Sequence, residues 1–199
     1  MLFKIIGEGE PTRLFIGGVH GREGMLTEKV LLRLLDSELN VSPGKLILCN
    51  LTTSGEYIST LNRAYYQSEA GLKLLEIIRS YKPGIYVELH SYSPESRERL
   101  TDPERKQKAG VPSLIELEQE VLIGSVSPLI RTSEFKIYDL CLTLEIPNAN
   151  CSKAFNLVIS LLKMMANHDK ESILRNLEMR YPEQFAIMVK NFREYFGIK

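Results

Sequence analysis

The sequence predicts an α/β fold: a mixed, twisted β-sheet flanked by helices, with a helical C-terminal third. Two observations carry this. Short apolar runs alternate with segments of helical periodicity through most of the chain, the pattern of an α/β layer fold. From Lys153 to Ala166 the apolar residues Phe155, Leu157, Val158, Leu161 and Leu162 recur at helical spacing, suited to packing against a sheet. The 199 residues, 44% hydrophobic and 25% charged, suffice for one globular domain spanning 1–199 with its own core.

Residues 2–6 and 13–17 suggest an opening hairpin around Glu8-Gly9-Glu10-Pro11. Glu23 to Leu39 reads as a helix with Met25, Val30, Leu31, Leu34 and Leu35 on its apolar face. Lys45 to Leu51 is a strand, Glu69 to Tyr81 a helix, and residues 85–89 a strand after the break at Pro83-Gly84. Glu120 to Ser125 and Ile137 to Ile146 are further strands. Ser93 to Pro112 is polar, with Arg97, Arg99, Arg105, Lys106 and Lys108 among its charges; it suits a solvated loop or, following His90, a mobile cover over a site.

The chain has only three histidines, and two of them sit in informative settings. Leu14-Phe15-Ile16 is a short buried strand, and Gly17-Gly18 lets the backbone turn sharply where it ends, placing His20 and Glu23 at a strand exit. Ile85 to Leu89 delivers His90 to the same kind of edge. Two imidazoles and one carboxylate are a known ligand set for catalytic zinc, which leaves a further position open. Alternation along the strand puts Glu88 on the face of His90, so that its carboxylate can accept the other ring N–H and fix the tautomer.

Glu145 ends the apolar run Leu140 to Ile146. Buried without a partner it would be costly; beside an activated water it serves as general base and then acid. A salt bridge to Arg63 or Arg131 is its structural alternative. Thr60-Leu61-Asn62-Arg63 offers an amide beside a planar guanidinium fork, which suits a substrate carboxylate. His168 is expected in a turn without a role.

These residues together resemble the zinc carboxypeptidase superfamily, including its aspartoacylase and succinylglutamate desuccinylase branch, over roughly residues 12–150. His20-Gly21-Arg22-Glu23 resembles its metal motif, His90-Ser91-Tyr92-Ser93 its third-ligand segment, Thr143-Leu144-Glu145 its catalytic strand, and Leu61-Asn62-Arg63 the Leu-Asn-Arg of the aspartoacylase branch. The resemblance implies a carboxypeptidase-like fold and Zn2+ on His20, Glu23 and His90. It also implies Glu145 as base, with Asn62 and Arg63 as carboxylate anchors and Arg131 or Arg22 as the next arginines in line. The expected activity is hydrolysis of an amide bond in a small-molecule or peptide substrate with a free carboxylate, either a peptide C-terminus or an N-acyl amino acid. The alternative is a binding or regulatory module that keeps the metal without turnover.

The sequence also departs from that family. No arginine lies between Arg33 and Arg63 to polarise the scissile carbonyl, leaving Lys45 or Arg131 as substitutes, and no tyrosine lies between Tyr92 and Tyr138. The chain is also short for the superfamily, without room for the extra β domain of the aspartoacylase branch.

Twenty-five basic residues balance twenty-five acidic ones, so no global field favours nucleic acid or an anionic membrane. The N-terminal apolar run lacks the layout of a signal peptide and no stretch approaches membrane-spanning length, so a cytoplasmic location is expected. Cys49, Cys141 and Cys151 are odd in number without C-x-x-C spacing, which suits buried packing better than disulfides or thiolate metal sites.

Overall fold

The computed structural model describes residues 2–51, 57–149 and 151–198. The strands are β1 (Leu2–Glu8), β2 (Thr12–Gly17), β3 (Gly44–Asn50), β4 (Ile85–Tyr92), β5 (Ile115–Glu116), β6 (Leu122–Ser125) and β7 (Leu140–Pro147). They form one seven-stranded sheet in the order β1-β3-β2-β4-β7-β6-β5. The central strands β3, β2, β4 and β7 run parallel, while β1, β6 and β5 are antiparallel to their neighbours.

The expected opening hairpin does not form. β1 pairs along its whole length with β3, from Leu2 opposite Asn50 to Glu8 opposite Gly44, and β3 therefore stands between β1 and β2. β2 is buried at every position and takes a parallel neighbour on each side. β1, with Lys4 and Ile5 exposed, closes the sheet edge instead.

Helices cover both faces because alternate strand residues point to opposite sides. On one side Phe15, Leu46, Leu48, Val87, Leu89 and Leu144 pack with Val30, Leu31 and Leu34 of α1 (Gly24–Leu35) and with Phe155, Val158 and Leu162 of α6 (Ser152–Asn167). On the other, Leu14, Ile16, Ile47, Cys49 and Tyr86 meet Leu74, Ile77 and Ile78 of α2 (Glu69–Tyr81) and Ile130 of α5 (Pro128–Ser133). α2 starts on a Ser68 side-chain cap and ends on Lys82 in the left-handed region.

The polar stretch after His90 is more ordered than a plain loop: it holds α3 (Pro94–Thr101) and α4 (Arg105–Ala109). The helical C-terminal third comprises α6, α7 (Lys170–Arg180) and α8 (Pro182–Phe196). α1 stops at Leu35, short of the expected Leu39; β7 starts at Leu140, since residues 136–139 form a turn closed by Asp139. Among the described residues no helix is long and apolar enough to cross a membrane.

Candidate metal centre

The chain leaves β2 for β3 on one side and reaches β4 on the other, so the strand order reverses between β2 and β4. At such a point the connections diverge to opposite faces and open a crevice at the carboxyl ends of the strands. His20 and Glu23 follow β2, and His90 lies near the end of β4, so all three border that crevice.

A buried polar brace holds the turn that carries His20. Gly18 has φ +65°, and a Cβ there would meet the Leu51 carbonyl oxygen at 2.1 Å. The Gly18 N–H donates to Thr27 Oγ1 at 3.0 Å, Thr27 Oγ1 donates to Asn50 Oδ1 at 2.8 Å, and Asn50 Nδ2 donates to the Gly24 carbonyl at 3.1 Å. The start of α1 is thereby tied to the ends of β2 and β3. Tyr65, buried, donates its hydroxyl to the Val19 carbonyl at 2.7 Å and fixes the same turn from the α2 side.

Glu23 lies between the two imidazoles. His90 Nδ1 is 3.3 Å from Glu23 Oε1, and His20 Nδ1 is 3.5 Å from Oε2. Ligand atoms from all three lie within 4.8 Å of one another. Donors about 2.0–2.1 Å from a tetrahedral ion would stand about 3.3–3.4 Å apart, so the spacing suits one ion. Backbone N–H groups of His20 (3.2 Å) and Ser91 (3.3 Å) donate to the Glu23 carboxylate and set its orientation.

The environment of His90 makes the same point independently. Glu88, 1% exposed, places Oε2 3.1 Å from His90 Nε2 and accepts the Tyr86 hydroxyl at 2.7 Å on Oε1. A carboxylate there favours a proton on Nε2. Nδ1 then faces Glu23 at 3.3 Å, and it is a buried nitrogen without a hydrogen-bond partner. A buried nitrogen set against a carboxylate in this way accommodates a positive charge between them, a proton or a metal ion. The ligand set therefore fits a metal ion.

The charges shift accordingly. Burial opposes a charge on His90, but Glu23 and Glu88 outweigh it and hold its pKa well above the ordinary value. Burial and the neighbouring His90 lower that of His20. Burial would raise that of Glu23, yet His90 and His20 bring it down, keeping the carboxylate ionised.

Glu145 stands directly across the ladder from His90, its register partner on β7. Burial raises its pKa, against the opposing pull of His90. Among the described residues it forms no salt bridge with Arg63 or Arg131, the structural alternative to a chemical role. His20, His90 and Glu145 share a cavity of about 550 Å3, whose walls further on are apolar. α3 and α4 contribute to these walls, and α8 closes the far side.

Other residues singled out in the sequence go elsewhere. Asn62 is exposed and its side chain accepts from the Ala64 N–H, capping a short 3-10 helix over Arg63–Gln67. Arg63 and Arg22 are exposed, and neither they nor Asn62 line the cavity. Arg131, 2% exposed, donates to the carbonyls of Lys136 (2.8 Å), Ile137 (2.7 Å) and Asp139 (3.1 Å) and so clamps the turn into β7. Its fork is taken up by backbone. Lys45 lies at the amino end of β3, the wrong end of the sheet for a carbonyl-polarising group. His168, in the turn after α6, accepts Arg13 at its carbonyl and joins its ring to the Met164 carbonyl at 2.8 Å.

Three residues of the cavity wall had no signal of their own in the sequence. Tyr57 lies edge-on to His20, ring centroids 4.6 Å apart. Arg99 and Arg105 enter from the polar segment, where they were two charges among many.

The fold has remote structural likenesses. A metallo-carboxypeptidase from Pseudomonas aeruginosa, solved in complex with (2-guanidinoethylmercapto)succinic acid, superposes with a TM-score of 0.46 at 14% identity, over 96% of this chain and 61% of that one. The chain thus spans less than two thirds of that enzyme. A structure titled YNDL-apo (Zinc-free) gives a TM-score of 0.37 at 16% identity, over 90% of this chain and 91% of that one. In sequence, the chain is 38% identical over 201 residues to uncharacterized protein MJ0501 of Methanocaldococcus jannaschii, covering 100% of this chain and 95% of that protein. A family model described as an uncharacterized protein conserved in archaea (DUF2119) matches residues 8–197, and the chain belongs to that archaeal family.

Proposed function

We propose that the protein is a metal-dependent hydrolase that cleaves an amide bond in a carboxylate-bearing substrate. Zinc is the ion its donor set suits best. The observation that carries this reading is the clustering of His20, Glu23 and His90 at the switch point of the sheet, with both imidazoles on a cavity that a separate carboxylate, Glu145, also lines. Three donors and a nearby base are what metal-assisted hydrolysis requires.

The ion would be held by His20, Glu23 and His90 and would supply Lewis acidity toward a carbonyl oxygen, acidifying water at neutral pH. Glu88 keeps the His90 ring in the tautomer that presents Nδ1. Glu145 accepts a proton from the attacking water as its oxygen bonds to the carbonyl carbon. When the C–N bond breaks, Glu145 returns that proton to the leaving nitrogen. Its raised pKa suits it to hold the proton between the two steps. The apolar walls limit the water that competes for these groups.

The experiment is Glu145→Gln, assayed on a panel of dipeptides and N-acyl amino acids with metal content measured alongside. The variant is expected to keep its metal and lose about a hundredfold or more in rate. Unchanged rates would remove Glu145 from the mechanism. Metal in the parent without turnover on any substrate would identify a binding module instead.

A further inference from the structure

The polar segment after His90 carries several cations, and most are accounted for within it. Arg97 pairs with Glu116, Lys108 with Asp102 and Glu104, and Lys106 lies over the Tyr195 ring. Arg99 and Arg105 differ. Among the described residues neither pairs with a carboxylate, and both line the cavity that holds His20, His90 and Glu145.

Arg105 is the deeper of the two. It is half-buried at the start of α4, whereas Arg99 is exposed. One Arg105 N–H donates to the Pro112 carbonyl at 2.9 Å, which anchors the guanidinium at the cavity wall and leaves most of its donors without a partner among the described residues. Burial and Arg99 both work against its charge, while Glu145 favours it. A half-buried guanidinium with a second cation beside it gains from an anion on its fork. Leu114, Val126, Leu142, Met188 and Phe192 line the same cavity and give it an apolar chamber. The Tyr195 hydroxyl, donating to the Gly110 carbonyl at 2.9 Å, ties its α8 wall to α4.

We propose that Arg105, rather than Arg63, is the anion anchor of the site, and that its ligands carry a carboxylate on an apolar body housed in the neighbouring chamber. Arg99 adds charge at the rim. The proposal deepens the hydrolase reading and rests on it for the chemistry, but the anchor itself is a binding property of the chain without metal.

The test is calorimetric titration of metal-free protein, prepared by dialysis against chelator, with 4-phenylbutyrate and with its neutral amide. The parent is expected to prefer the carboxylate. Arg105→Ala should weaken carboxylate binding about ten- to a hundredfold, the range for hydrogen bonds to charged groups, and leave the amide unchanged. Arg105→Lys should fall between, keeping charge without the fork. Arg63→Ala should bind as the parent does. Loss of preference in Arg63→Ala with none in Arg105→Ala would overturn the proposal, as would a parent that does not distinguish the two probes. Metal content of the same parent before dialysis keeps the readings separate: a chain that takes up no metal ends the hydrolase proposal and leaves the anchor to the calorimetry.

Discussion

His90 and Glu145 are register partners on adjacent parallel strands, one carrying an imidazole of the candidate metal site and the other the carboxylate beside it. Their separation is set by the β-ladder and not by a loop. A carboxylate held this way keeps its distance from His90 however the surrounding helices adjust.

The metal cluster is expected to bind about one divalent ion per chain. His20→Ala and His90→Ala should each abolish it, as read by elemental analysis after gel filtration. Binding to the folded chain alone raises stability, so chelator should lower the melting temperature of the parent and leave that of His90→Ala where it is. A parent whose melting temperature ignores chelator would count against the site.

Glu88 is expected to act through His90. Glu88→Gln keeps the shape and still accepts the Tyr86 hydroxyl, but removes the charge that holds the proton on Nε2. Metal affinity should fall about ten- to a hundredfold, with the fold retained. Equal affinities in competition with a chelating dye would mean that Glu88 serves Tyr86 alone.

Much of this site was legible because its parts are local. Gly17-Gly18, His20 and Glu23 lie within one turn, and strand alternation alone puts Glu88 and His90 on one face. The rest depends on which strands become neighbours. Nothing in Leu2–Glu8 says that its partner is β3 and not the adjacent β2, because an edge strand needs only one ladder and its exposed positions carry little register information. Arg131 and Arg105 show the same limit for side chains. One ends on three backbone carbonyls five to eight residues further on and the other lines the cavity, and both destinations are set by how the irregular segments around them fold, which residue spacing does not record.

The three thiols should differ in reactivity. Burial pushes the Cys49 thiol up to about 11 and raises that of Cys141 further, so neither forms thiolate at neutral pH, whereas Cys151 is only half-buried. Iodoacetamide at pH 7.5 followed by mass spectrometry should label Cys151 first, with Cys49 and Cys141 reacting only once denaturant is added. Rapid native labelling of Cys49 would contradict its burial.

Arg131→Met is expected to destabilise the protein by about 2–4 kcal/mol in urea titrations, since it strips the donors from three carbonyls at the entrance to β7. Arg63→Ala, on an exposed position, should stay within about 0.5 kcal/mol of the parent. Comparable losses in the two variants would mean that the clamp contributes nothing.

Gly18 offers a test that joins the fold to the metal. Its φ of +65° is a backbone conformation in which a side chain costs about 1–2 kcal/mol, and the added Cβ would lie 2.1 Å from the Leu51 carbonyl oxygen, which belongs to backbone and cannot rotate away. Gly110 is the control, with a φ of +73° but nothing within 4 Å of an added Cβ. Gly110→Ala should therefore lose only the conformational term. Gly18→Ala should lose considerably more, because the turn must also separate from Leu51 and break the Thr27 and Asn50 brace. That turn carries His20, so the metal affinity of Gly18→Ala should fall along with its melting temperature, while Gly110→Ala keeps the parent's affinity. Equal stability losses would mean that Leu51 yields without cost. Undiminished metal binding in a destabilised Gly18→Ala would mean that His20 does not depend on the turn for its position.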